Sequence, residues 1–335
     1  MASEGDERRG LFGQVFSRLP ATQTDSSSPG REGDVSQMTE EQVNDPENRI
    51  KRLNKPFWIG YKGALAARDR VEEVLSTPYS DRITSCAVIA PSYNGKTSVF
   101  RNVQRRHNFL PADYQPGSLA KLPHIQIPVF FVQSPPMPDE DRLLSAILRA
   151  LNMLGSPREP AEYKIARIQA IFAGLGVKLL LLDEFGFFQA GSADKQRKAL
   201  NGLKYLSNEL KIPIVLASVE EGLNILTTSS EISNRFPAVH LIKWQADADE
   251  TLSLLASFEV KLGLKESSEL GTEKMARLIV ANTDGILGHI HDLLRLLARK
   301  AIREGTERIA LADLQPSALR AQGWILPSLR HQRPT

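Results

Sequence analysis

The sequence predicts an α/β protein built on a five-stranded parallel sheet, followed by a small helical domain. Three observations carry this. From Lys51 onward, short apolar runs alternate with stretches of helical periodicity. The first apolar run ends in "APSYNGKTSVF" (90–100), a loop that opens directly into a helical pattern. After Trp244 the strand patterns stop, whereas four later stretches keep the spacing of buried helix faces.

The elements follow in order. Residues 1–48 are rich in Ser, Gly, Asp and Glu and are expected to be disordered. Within them "GLFGQVFSRL" sets Leu11, Phe12, Val15, Phe16 and Leu19 at helical spacing, as either a local helix or a stripe that docks on a partner. "ITSCAVIA" (83–90) is the first strand, and "KTSVFRNVQRRH" the helix behind the loop. "HIQIPVFFV" (124–132) is the second strand, followed by helices in "DEDRLLSAILRALNML" and around 161–173. "VKLLLLDE" (177–184), "IPIVLAS" (212–218) and "AVHLI" (238–242) are the remaining strands, with the amphipathic "SADKQRKALNGLKYLSNEL" between the first two. This divides the chain into a disordered segment 1–48, an α/β domain 49–245, a small helical domain 246–322 and a tail 323–335. The tail, "GWILPSLRHQRPT", carries two prolines and basic residues and is expected to lie outside the fold.

Composition excludes several classes. A hydrophobic share of 41% and a charged share of 24% are those of an ordinary soluble domain. The net charge of +3 does not by itself announce a nucleic-acid binder, though it leaves room for one basic face. The single cysteine, Cys86, allows no internal disulfide and no Cys-rich zinc site, and is read as inert core. No apolar run reaches the ~20 residues needed to span a bilayer. The first ten residues lack the pattern of a signal peptide, so a cytoplasmic location without membrane contact is expected.

The loop is the first chemical signal. A strand, Gly-Lys-Thr and a helix in that order form a phosphate-binding loop. Backbone N–H groups of Asn94, Gly95, Lys96 and Thr97, with the positive end of the helix, suit the phosphates of a nucleotide, and Ser92, Tyr93 and Ser98 complete the expected cofactor-binding loop. Lys96 would reach the β- and γ-phosphates, and Thr97 would ligate Mg2+. The tripeptide alone occurs by chance in about one chain of this length in six, from average residue usage. Ala90 stands where such loops usually begin with glycine. The following Pro91 keeps it extended, and Gly95 holds the position at which a side chain would meet phosphate.

The second signal is the acid pair ending "VKLLLLDEF". Asp183 would orient the magnesium, and Glu184 would polarise the water that attacks the γ-phosphate. Alone, such a pair is more often a strand end and helix cap. After a strand–GKT–helix unit it reads as catalytic. Ser218 ends the fourth strand, where a polar group can position the attacking water if that strand lies between the loop strand and the acid strand. Arg235, just before the fifth strand, can enter a neighbouring subunit's nucleotide site as a trans-acting arginine, or can be a surface residue paired with Glu231 or Asp247. Trp58, beside Ile59 and Tyr61, offers a stacking surface for adenine or is simply core. His289 and His291 are two apart on a helix and do not form a metal pair.

With these elements in order the chain resembles the AAA+ ATPases, and more closely the TniB family of transposition ATPases related to TnsC. The resemblance covers roughly residues 50–305. It rests on "FWIGYKGALAARDRVEEVL", "APSYNGKTSVFRNVQRRH", "LLLLDEFGFFQAGSADKQRKALNGLKYLSNELKIPIVLASVEEG" and "SNRFPAVHLIKW". The chain departs from that pattern at Ala90, at Ser218 where Thr is usual, and in "FGFF" after the acid pair. His289 stands near the place where many AAA+ lids carry a sensor arginine. The resemblance implies ATP and Mg2+ as cofactors and head-to-tail assembly, as a ring or helical filament, on duplex DNA. It also implies delivery of the target site to a DDE transposase with a TniQ-type selector. Its DNA-facing loops correspond to "QSPPMPDEDR" and "LGSPREPAEYK", nominating Arg142, Ser156, Arg158 and Lys164 for nonspecific phosphate contact. Two alternatives stay open: a signalling or secretion-type AAA+ switch without DNA binding, and a P-loop kinase.

Overall fold

The computed structural model describes residues 44–77, 83–108, 126–136, 139–153, 159–185, 192–227 and 230–329. The segment "GLFGQVFSRL" lies outside them. Two compact units emerge. Among the described residues, the first comprises Ala66–Ala90 and Lys96–His240; the second comprises 44–65, Pro91–Gly95 and Leu241 onward.

The first unit is a five-stranded parallel sheet: β1 (Cys86–Ile89), β2 (Val129–Gln133), β3 (Leu179–Asp183), β4 (Ile214–Ser218) and β5 (Ala238–His240). The strand order is β2-β3-β4-β1-β5. β1, β3 and β4 are buried along their whole length, which is why each reads as an unbroken apolar run rather than an alternating one. Burial also holds the Cys86 thiol at a pKa of about 12, so it stays protonated. β2 begins only after Pro128, which cannot donate to a ladder, so the expected strand over 124–132 starts later. Its outer edge is closed by Asn108, whose side chain bonds both the N–H (3.0 Å) and the carbonyl (2.8 Å) of Val129.

Helices pack on this sheet. They are α2 (Lys62–Ser76), α3 (Lys96–His107), α4 (Glu140–Ala150), α5 (Ala161–Leu175), α6 (Ala193–Leu210), α7 (Glu220–Leu226) and α8 (Ser230–Arg235), preceded in the chain by α1 (Pro46–Leu53). α4 starts where Asp139 accepts from the Arg142 N–H at 2.9 Å, and it buries Leu143, Leu144, Ile147 and Leu148 on one face.

The second unit is helical: α1, α9 (Asp249–Leu262), α10 (Glu273–Ala281), α11 (Leu287–Glu304) and α12 (Pro316–Ala321), with 3-10 turns at Leu311–Leu314 and Pro327–Leu329. α11 supplies the spine, with Ile290, Leu293, Leu294 and Leu297 buried against Leu254, Phe258 and Ile279. Two sequence-based boundaries move. α1 belongs to this unit: Ile50 and Leu53 join its core. The tail is also not wholly outside, because Trp324 is buried and its indole N–H donates to the Asn282 carbonyl at 3.1 Å. No described helix is long and apolar enough to cross a membrane.

Arg49 latches α1 onto this unit. Its guanidinium meets Glu307 at 2.5 and 2.7 Å and the Gly263 carbonyl, at the end of α9, at 3.1 Å. The hydrogen bonds from Arg49 hold the Glu307 carboxyl below the usual carboxylate range. The stabilisation is therefore complete above the unfolded value of about 4.3 and is lost as pH falls through the folded value. Arg49→Met is expected to lower the thermal midpoint at pH 7 by at least about 5 °C, since it strands a largely buried carboxylate. It should also reduce the loss of stability below pH 4.3, both followed by circular dichroism.

Candidate functional site

Parallel pairing puts every strand's C-terminus at one edge of the sheet, and registry aligns particular residues there. Ile89 of β1 pairs with Ser218 of β4, and Gln133 of β2 with Asp183 of β3. β4 lies between β1 and β3, so Ser218 stands between the end of the loop strand and the end of the acid strand.

Lys96, the first residue of α3, is buried, and its Nζ lies 2.8 Å from the Ala90 carbonyl. Burial lowers its pKa, and the charges of Asp183, Glu184 and Glu221 oppose that. Thr97 donates its hydroxyl to Asp183 Oδ2 at 2.6 Å. Burial raises the Asp183 pKa, against the Thr97 hydrogen bond and the Glu184 N–H, which reaches Oδ1 at 2.9 Å. Ser218 is 1% exposed, and its hydroxyl has no hydrogen-bond partner among the described residues. A buried hydroxyl left without a partner costs about 1–3 kcal/mol, which a polar ligand would recover.

Glu184 is exposed and adopts φ 56°, a left-handed conformation uncommon outside glycine. The turn aims its carboxylate at Gln133, whose amide Nε2 donates to Glu184 Oε2. Sequence reasoning missed Gln133, although the signal was the one that picked out Ser218: a polar residue ending an apolar strand.

The loop before Lys96 has Gly95 at φ 91°, which explains the glycine there. Ser92, Tyr93 and Ser98 are exposed, Asn94 is buried, and Trp58 is half-buried in the helical unit. Tyr61 packs edge-on against Trp244 at 4.8 Å, a core role. His289 Nδ1 lies 3.3 Å from the Thr283 carbonyl.

Arg235 ends α8 and donates to Asn208 Oδ1 at 2.8 Å. Glu231, expected as its carboxylate in the plain surface reading, is held by Lys204 at 2.6 Å. Among the DNA candidates, Arg142 is exposed, whereas Ser156 and Arg158 lie outside the described residues. Lys164 is corrected: it is 0% exposed, with Nζ on Asp141 at 2.5 Å and Ser145 at 3.2 Å, so it faces α4 and not a phosphate. Its position on α5, four residues before Ile168 and one before Ile165, puts it on the buried stripe. A cavity of about 290 Å³ that the sequence did not suggest is lined by Arg101, Phe131, Gln133 and Arg149, among others.

A phosphate-loop strand, an acid-pair strand and a third strand inserted between them, with a helical unit after the sheet, define an ATPase of the AAA+ fold. The family model described as "Bacterial TniB protein" matches residues 49–246, and the chain belongs to that family. No curated protein sequence matches the chain. Among solved structures, Cdc6p from Pyrobaculum aerophilum is similar at 16% identity, covering 85% of this chain and 70% of its own, with TM-score 0.53. The Aeropyrum pernix ORC2 protein in ADPNP and ADP complexes is similar at 16% identity, over 85% and 74% of the two chains, with TM-score 0.54. Drosophila ORC bound to DNA is similar at 15% identity, over 95% and 73%, with TM-score 0.50. At these identities the likeness speaks for the fold.

The Gln133–Glu184 bond holds the acid that would activate water. Gln133→Ala is expected to raise basal ATP hydrolysis several-fold with little change in nucleotide affinity, measured by phosphate release and by equilibrium binding.

Proposed function

We propose that this ATPase assembles head to tail on duplex DNA and passes the bound site to a DDE transposase, with Lys96, Thr97, Asp183, Glu184 and Ser218 as its hydrolytic site. One observation carries the site: at the sheet edge a Thr97–Asp183 pair 2.6 Å apart flanks the end of β4, where the Ser218 hydroxyl has no hydrogen-bond partner among the described residues. Hydroxyl and carboxylate oxygens are the donors magnesium prefers, so the residues fit that ion. Thr97 and Asp183 would hold it, and it would supply charge neutralisation at the phosphates.

The chain's own groups do the rest. The Lys96 ammonium, buried and short of solvent, gains from a polyanion beside it, which restores its ordinary affinity for a proton. Glu184, once away from Gln133, accepts the proton of the attacking water. Ser218 Oγ, buried and without a hydrogen-bond partner among the described residues, orients that water. Arg235 acts on a neighbouring subunit's nucleotide, stabilising charge that develops in the transition state. Membership of the TniB family supports the transposition role, together with a TniQ-type selector as partner. The exposed Arg142 is kept as a candidate phosphate contact, with Ser156 and Arg158 as candidates from the sequence alone.

Lys96→Ala is expected to abolish ATP binding, read with a fluorescent ATP analogue. Glu184→Gln should bind ATP normally and hydrolyse it at least about 100-fold more slowly.

The decisive experiment mixes two inactive proteins. Arg235→Ala binds ATP but lacks the trans cation, whereas Lys96→Ala retains Arg235 but binds no ATP. Junctions between them rebuild one complete site, so activity should return on mixing, rise with duplex DNA and fall with added salt. Flat activity at every ratio, with both proteins folded, overturns the assembly reading.

A further inference from the structure

We propose that Asn94 is a positioning residue that carries the state of the phosphate-binding loop into the C-terminal helical unit. This rests on the ATP-site reading above. The five residues Pro91–Gly95 connect β1 to α3 in the chain, yet by their contacts they belong with the helical unit.

The Asn94 side chain ties them to it. It is 1% exposed, and its amide is used at both ends. Nδ2 donates to the carbonyls of Leu241 (3.2 Å) and Ile242 (2.9 Å), and Oδ1 accepts from the Leu287 N–H at 2.9 Å. Leu287 is the first residue of α11, and the next amide, Gly288 N–H, donates to the Tyr93 carbonyl at 3.0 Å. The first amides of a helix have no partner within it. Ile286, the residue at the cap position, has no side-chain oxygen to offer them. The phosphate-binding loop therefore caps α11 from almost 200 residues away in sequence.

The junction is reinforced on its outer side. The Tyr93 hydroxyl donates to Asp292 Oδ2 at 2.8 Å, and its ring lies 5.5 Å from that of His289. Tyr93 itself is held at φ 63°. A Cβ on Gly288 would come within 2.3 Å of the Tyr93 ring, so only glycine permits this approach.

A loop that wraps phosphate must set its backbone by the anion. Here the same five residues satisfy the start of α11 and the backbone at 241–242. Any change in loop conformation between nucleotide states must either carry α11 with it or leave buried amides unpaired, which is the costlier course. Asn94 is suited to this because one planar amide both donates and accepts, fixing two separate backbone segments at once.

All three tryptophans of the chain, Trp58, Trp244 and Trp324, lie in the helical unit, and Trp244 N–H bonds Gly285 beside the junction. Intrinsic tryptophan emission of the full chain thus reports on that unit. The protein is titrated with a non-hydrolysable ATP analogue and Mg2+, with binding measured independently by equilibrium dialysis of the labelled analogue. The wild type is expected to show an emission change that saturates with binding. Asn94→Ala should bind within about tenfold of wild type and lose at least three quarters of that change at saturation. Asn94→Asp serves where the alanine variant does not fold. It keeps the bond to Leu287 but sets a carboxylate against two carbonyls, and the same loss is expected. Tyr93→Phe, on an exposed residue, should lose part of it. A full emission change in the Asn94 variants overturns the proposal, as does loss of binding in both, which would make Asn94 part of the phosphate site itself. Binding by wild type without any emission change overturns it too. Absence of binding by wild type overturns the ATP-site reading instead.

Discussion

The insertion of β4 between β1 and β3 is the constraint from which the site follows. Parallel strands end at one edge, and the registry of Ile89 with Ser218 and of Gln133 with Asp183 decides which side chains meet there. With β4 in the middle, a buried hydroxyl stands between the lysine–threonine turn and the acid pair. The Thr97–Asp183 hydrogen bond then spans the end of β4 and closes the group from both sides. The three strands are buried on both faces, so none can slip register without moving apolar side chains into the wrong layer.

Burial dominates the electrostatics at that edge. Burial disfavours the charge on Lys96 and on Asp183 alike, and each is partly compensated by the other. Glu184 differs, being exposed, in a left-handed turn and held by Gln133. Asp183 is thus held in the interior, whereas Glu184 sits in a left-handed turn at the surface.

Much of this was legible in the sequence, for identifiable reasons. The fully buried β1, β3 and β4 read as continuous apolar runs, and the less buried β2 and β5 were legible too, with errors confined to ends such as Pro128. Lys96, Thr97, Asp183 and Ser218 were legible because each terminates such a run or sits in the loop after one. Lys164 was misread because it was placed by its resemblance to a DNA-facing loop, and its salt bridge is to Asp141, 23 residues away. Gln133 escaped because its partner, Glu184, lies just past the end of another strand, 51 residues distant. Trp324 escaped because it follows Gly323 in a proline-containing tail, and its burial rests on distant partners, the helical unit's apolar core and the Asn282 carbonyl among them. Tertiary pairing of polar groups leaves no periodicity to read.

The same distinction bears on the loop. "SYNGKT" declares its phosphate chemistry through Gly95, Lys96 and Thr97, whose roles are local. Asn94 looked like one more backbone donor, since nothing nearby in sequence needs its side chain. Its partners are a strand exit at 241–242 and a helix start at 287, and that helix start lacks a capping residue of its own. A helix beginning "DGILGHI", with isoleucine at the cap position and glycine in the first turn, is locally a poor start. It becomes a sound one only when another segment supplies the acceptors. Helix starts of this kind, weak by their own sequence yet well ordered, mark places where a fold has tied two distant segments together.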